Sequence, residues 1–155
     1  LSQRSVWRSL KSDFKCCVAI EHVQTKRFLA VEPQNQRRLI LQDEFHPETC
    51  AFEVHERRGS CKLVGFQNKC TRTWLGQSAL GYIVCKAGNF GRNEEWEIDD
   101  GNMSRTQLLC ACSNYGNGGW LLVHDDTANF SVLGYDSKAK ERATLWSIVV
   151  LDDNI

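Results

Sequence analysis

Residues 61–98 read CKLVGFQNKCTRTWLGQSALGYIVCKAGNFGRNEEWEI, and this stretch decides the fold. Four short apolar runs, at 63–66, 74–75, 82–85 and 96–98, are separated by polar or glycine-containing turns. Each run is too short for a helix that holds by itself, and β-branched and aromatic residues recur in them. The spacing predicts four strands. A four-strand unit of this size leaves an apolar face uncovered and needs companions.

The companions lie 46 residues away on either side. Phe66 and Trp74 step back to Ile20 and Phe28 and forward to Cys112 and Trp120. Val18, Val64 and Cys110 share the next frame, as do Leu29, Leu75 and Leu121. The unit ends also match: AFEV at 51–54, EWEI at 95–98 and LWSI at 145–148. Each carries an aromatic residue two places before Val or Ile, so both side chains face one way in a strand. Three copies of a four-strand unit predict an all-β fold with pseudo-threefold symmetry, a β-trefoil. Six strands would form a short barrel and six would cap it as hairpins, leaving few unpaired edges. A sandwich or a propeller does not account for threefold repetition at this length. Residues 16–151 are expected to form this single domain.

Residues 1–15 precede the repeats as a leader. Val6, Leu10 and Phe14 recur every fourth residue, with Arg4, Arg8, Lys11 and Lys15 between them. That pattern fits a short basic amphipathic helix, and residues 1–17 offer a weak membrane contact. Adjacent Cys16 and Cys17 would permit lipidation. The competing reading has the leader's apolar residues packed on the barrel.

The chain has 155 residues, enough for one domain with a core. No apolar run approaches the roughly 18 residues of a membrane span. Eight cysteines suggest disulfides at first. The repeat frame argues otherwise, because Cys85, Cys110 and Cys112 stand where other units place apolar core residues, and free Cys behaves as a small hydrophobe. Structural thiols point to a reducing, cytoplasmic setting. No Cys-x-x-Cys pair occurs, so zinc is disfavoured.

Catalysis has no support in the sequence. The four histidines are scattered and no nucleophile-turn motif occurs. Gly116-Asn117-Gly118-Gly119 runs into Trp120 where a phosphate loop needs Lys and a helix. His124-Asp125-Asp126 reads as a solvated turn rather than a cation site. No cofactor motif is present, and the expectation is a non-enzymatic binding module.

Charge gives the binding readings their material. Net charge is zero, yet residues 1–96 carry 15 Lys/Arg against 10 Asp/Glu, and residues 97–155 carry 4 against 9. Basic pairs stand at Lys26-Arg27, Arg37-Arg38 and Arg57-Arg58, with Lys69 and Arg72 in the next hairpin loop. Lys26 and Arg72 are equivalent in the repeat frame, and Gly118 takes that place in the third unit. Such a patch suits an acidic protein surface or an anionic membrane. The neutral isoelectric point disfavours nucleic acid.

A resemblance sharpens this reading. Lys26-Arg27-Phe28-Leu29-Ala30-Val31 resembles the strand–turn–aromatic-Leu pattern of fascin-like trefoils. The middle unit is similar in Thr73-Trp74-Leu75-Gly76, Gly81-Tyr82-Ile83-Val84-Cys85 and Glu94-Glu95-Trp96-Glu97-Ile98. The resemblance covers roughly residues 16–150 and implies a cytoskeletal partner, actin first. The chain departs from that family in having one trefoil where bundling proteins combine several. His-rich single-trefoil relatives also differ from it, since only His22, His46, His55 and His124 are present.

The alternative is a lectin-like, carbohydrate-binding trefoil, whose site would use Tyr115, Asn117, Asp125, Asp126 and Asn129 of the third unit. The Gln-x-Trp signature of ricin-type lectins is absent. A growth-factor-like trefoil rests on the fold alone, and a docking module within a larger protein is a fourth reading.

Overall fold

The computed structural model describes residues 12–34, 38–99, 102–112, 118–124 and 129–152. Each repeat supplies four strands. The first unit has β1 (Ser12–His22), β2 (Phe28–Glu32), β3 (Arg38–Gln42) and β4 (Phe52–Arg57). The second has β5 (Val64–Asn68), β6 (Trp74–Gln77), β7 (Ile83–Ala87) and β8 (Trp96–Ile98). The third has β9 (Leu108–Cys110), β10 (Gly119–His124), β11 (Asn129–Val132) and β12 (Trp146–Val150).

The first and last strands of the units form the barrel. Antiparallel pairing runs from β12 to β1, β4, β5, β8 and β9. A bridge from Thr106, just before β9, to Trp146 completes the ring. The inner strands pair as hairpins, β2 with β3, β6 with β7 and β10 with β11. This is a β-trefoil, as the repeat predicted.

The frame of 46 residues is a core frame. Val18, Ile20, Leu29, Phe66, Leu75, Cys110, Cys112 and Leu121 are all buried in one cluster. The closing aromatics Phe52, Trp96 and Trp146 are fully buried at its centre. Hairpin aromatics hold a second, outer position. Phe28 pairs with Glu21 and Trp74 with Gln67, one repeat apart. Each is covered by an aromatic from the loop before its closing strand, Phe45 at 5.7 Å in the first unit and stacked Phe90 at 4.7 Å in the second.

Three connections between strands contain helical turns. They are α1 (Pro47–Cys50), a 3-10 turn at Arg92–Glu94, and α2 (Ser137–Arg142). Asp136 is the N-cap of α2 and accepts from Ala139 N–H at 2.8 Å. These turns stand at corresponding places, immediately before the three closing strands. They are too short to show a helical period in the sequence.

Residues 12–15, expected in the leader, are strand. Ser12, Asp13 and Phe14 pair with Arg57, Glu56 and His55, and a register shift lies between Phe14 and Cys16. The rest of the leader, residues 1–11, lies outside the described residues. All eight cysteines are free thiols, and Cys50, Cys85, Cys110 and Cys112 are buried. Burial pushes the Cys110 thiol up to about 12. Among the described residues no helix is long and apolar enough to cross a membrane.

Candidate functional site

The β6–β7 hairpin of the middle unit carries a depression of about 470 Å³, lined by Trp74, Gln77, Leu80, Tyr82, Asn93 and Glu94 among others. Its construction starts at Gly76. A Cβ there would fall 2.5 Å from Asn93 O and 2.8 Å from Glu94 Oε2. Only glycine lets the 3-10 turn settle against β6 and present Asn93 and Glu94 at the hairpin.

The turn of the hairpin is held from beneath. Ser78 N–H donates to Tyr82 O at 2.7 Å and Gly81 N–H to Ser78 O at 2.9 Å. Gln77, buried, donates from Nε2 to Gly81 O at 3.0 Å. Its Oε1 accepts from Gly118 N–H of the third unit at 2.7 Å. One side chain therefore fixes both the turn and the seam with the neighbouring unit. Leu80 and Tyr82 project outward and are 84% and 65% exposed, so the core does not account for them. Tyr82, read from the sequence as a strand residue of the apolar run, stands outside the core, and β7 begins one residue later.

The floor is polar. Glu94 is buried, and burial raises its carboxyl above the ordinary value, with Glu95 pushing the same way. The Gly91 N–H at 3.0 Å and the Arg57 charge oppose that rise. Cys112 donates its thiol to Asn93 Oδ1 at 3.2 Å, which holds the amide in place. An exposed aromatic, an aliphatic wall and fixed amide and carboxyl groups can bind a molecule with apolar faces and hydroxyl edges. Among the described residues no cluster of three His, Cys, Asp or Glu could hold a metal ion.

The basic residues singled out from the sequence have several different surroundings. Arg57 is largely buried. It donates to Glu95 Oε2 and Phe90 O at 2.8 Å and to Gly91 O at 3.2 Å, and lies 3.7 Å over the Phe90 ring. Arg58 pairs with Asp13. Arg72 pairs with Glu53 at 3.0 Å. Lys26 and Arg38 are exposed, while Arg27 and Lys69 are half-buried. Arg37 lies outside the described residues.

The equivalence of Lys26 and Arg72 has a backbone cause. Both are left-handed, with φ of 63° and 59°, and Gly118, their counterpart, has φ of 90°. Their turns are closed alike, Lys26 N–H to His22 O at 2.8 Å and Arg72 N–H to Asn68 O at 2.9 Å. Of the third-unit set, Tyr115, Asn117, Asp125 and Asp126 lie outside the described residues. Asn129 is exposed and pairs with His124 across β10 and β11.

The middle-unit depression escaped the sequence reading because Tyr82 sits next to Ile83 in an apolar run. The available signal was the preceding Gly81, whose φ of 95° marks a turn and places Tyr82 at its rim.

No protein-family model matches this sequence, and no curated protein matches it. Solved structures do. The BEL β-trefoil is 11% identical with a TM-score of 0.69, over 90% of this chain and 95% of that one. A GlcNAcα1-4Gal-releasing endo-β-galactosidase from Clostridium perfringens is 15% identical with a TM-score of 0.69, over 89% of this chain and 33% of that one. An exo-β-1,3-galactanase from Clostridium thermocellum is 11% identical with a TM-score of 0.67, over 88% of this chain and 30% of that one. This chain thus spans about a third of each enzyme. At these identities the likeness shows the fold.

Proposed function

We propose that the protein is a non-catalytic carbohydrate-binding module that holds sugar in the middle-unit depression. The observation that carries the reading is the exposed Tyr82 and Leu80 beside a polar floor of buried Gln77 and Glu94 and half-buried Asn93. Sugar rings offer C–H faces to an aromatic ring and hydroxyls to fixed amide and carboxyl groups. The match to one-third of an endo-β-galactosidase and of an exo-β-1,3-galactanase supports the same class of ligand.

A glycan array carrying β-linked galactosides, followed by calorimetry on the best hit, tests this. Binding is expected, and Tyr82→Ala should weaken it at least tenfold. The melting temperature should hardly move, since substitutions at exposed positions shift stability by under about 0.5 kcal/mol. A blank array, or a Tyr82→Ala variant that binds like wild type, overturns the reading.

The fascin-like reading, with actin as partner, has less behind it. Of the residues that carry the resemblance, Leu29, Trp74, Leu75 and Trp96 are buried and serve the fold. Arg57, Arg58 and Arg72 of the expected patch have partners within the chain. None of the neighbours named above is described as binding actin. Co-sedimentation with filamentous actin that is lost in an Arg38→Ala, Arg58→Ala variant would restore it. Eight free thiols support placing the protein in a reducing compartment.

A further inference from the structure

A second depression, of about 600 Å³, lies where the third unit meets the first. Its lining comes from four places in the chain. His22 ends β1, Gln24 lies in the turn after it, and Arg105 precedes β9. His124 ends β10, Arg142 ends α2, and Thr144 lies between α2 and β12. No carboxylate is among its described lining residues.

The frame around the depression is hydrogen-bonded on each side. Arg105 follows a turn closed by its own N–H to Asn102 O at 2.9 Å. The next residue, Thr106, exchanges both backbone hydrogen bonds with Trp146, at 2.8 and 2.7 Å. Thr144 donates its N–H to Leu121 O at 3.1 Å and accepts from Val123 N–H at 2.8 Å through Oγ1. His22 is buried, its Nδ1 2.7 Å from Thr25 Oγ1 and accepting from Thr25 N–H at 3.3 Å. Val23 N–H donates across the seam to Leu145 O at 3.2 Å.

Asn68 is the counterpart of His22, one repeat on. It crosses its seam, donating from Nδ2 to Thr49 O at 3.0 Å. His22 holds Thr25 within its own turn and meets the Trp146 ring edge-on across its seam, with centroids 5.5 Å apart. The guanidinium groups of Arg105 and Arg142 have no acidic partner among the described residues, and both residues are exposed. Both line the same depression, within the acidic half of the sequence.

We propose that this seam binds a tetrahedral oxyanion, a phosphate or sulfate group carried on a larger ligand. Arg105 and Arg142 supply forked donors suited to such oxygens. His22 and Thr144 shape the wall. The site is built from different repeats than the Tyr82 depression and does not depend on it.

Calorimetric titration with inorganic phosphate and sulfate, then with galactose 6-sulfate, galactose 6-phosphate and vesicles of phosphatidic acid in phosphatidylcholine, tests the proposal. Saturable binding of the free anions is expected, weakening with salt. Arg105→Gln with Arg142→Gln should weaken it at least tenfold, while Arg38→Gln with Lys62→Gln, which removes the same charge elsewhere, should leave it within twofold. Tighter binding of a sugar ester than of vesicles assigns a glycan source, and the reverse assigns a lipid headgroup. Absence of saturable anion binding, or equal losses in both double variants, overturns the proposal. Tyr82→Ala should not affect this site, so its outcome separates the two readings.

Discussion

At the scale of single residues, the three closing aromatics share a place but differ in polarity. Trp96 donates its indole N–H to Leu75 O at 3.0 Å. Trp146 Nε1 is buried and finds no acceptor among the described residues. Phe52 fills the same place with no donor at all. Trp→Phe at either position removes similar volume, so the difference between the two variants isolates the hydrogen bond. Trp96→Phe should destabilise more than Trp146→Phe by about 1 kcal/mol, because it leaves Leu75 O unsatisfied whereas the other removes an orphan. Urea denaturation of both variants reads this directly.

Lys26 gives a second residue-scale prediction. Its left-handed φ of 63° costs a side-chain-bearing residue about 1–2 kcal/mol, and glycine's extra chain entropy offsets part of the relief. Lys26→Gly should therefore raise stability by about 0.5–1 kcal/mol in the same assay. The sequence made Lys26 and Arg72 look like a repeated basic feature. Residue identity was legible, whereas the φ angle that accounts for the recurrence was not.

At the scale of elements, ladders of side chains join the strands to the helical turns. Phe14, His55, Trp74 and Phe90 form a continuous aromatic row with centroid separations of 5.5, 5.0 and 4.7 Å. Gly65 lies beneath it, where a Cβ would meet Phe90 at 2.6 Å. Two carboxyls at these elements titrate in opposite directions. Burial would raise Glu53, but hydrogen bonds from Arg72 and His55 outweigh it and hold the carboxyl below its ordinary value. Its contribution is present above the unfolded-state value of about 4.3 and is lost as pH falls through the folded-state value. Glu94 is raised, so its contribution is complete below about pH 4.3 and is lost as pH rises through its folded-state value. Glu94→Gln keeps an acceptor for Gly91 N–H and removes the buried charge. Its melting temperature at pH 7 should exceed that of wild type, and the gap should close near pH 4.

The element scale also marks where the sequence stopped being informative. Strands of the barrel repeat because three units must present like shapes to one core. Helical turns of three to six residues carry no period, and hence α2 leaves no helical signal in the sequence. Tyr82 could not be told from core aromatics by type, only by the turn it follows.

For the whole molecule, the free thiols give a direct test. Freshly isolated protein should bind eight equivalents of a thiol reagent after denaturation, and its melting temperature should not change with reductant. Two or more intact disulfides would overturn that expectation. The fold was legible at this scale since pseudo-symmetry repeats its evidence three times. The oxyanion seam was not, because residues 22, 105, 124 and 142 come together only on closure, and the acidic balance of the second half concealed its two arginines.

The same closure governs how the chain reaches its folded state. Val18 pairs with Val150 and His22 with Trp146, so β1 cannot be fully paired until nearly all of the chain exists. At roughly 5–20 residues per second of synthesis, several seconds separate the emergence of β4 from that of β12. Throughout that interval one edge of β1 is an unpaired template, the condition under which strands join the wrong neighbour. Such non-local pairing places folding in the slow range, about milliseconds to seconds. The nascent chain, more than the finished barrel, is the form in which this protein is exposed to aggregation and has most need of a chaperone.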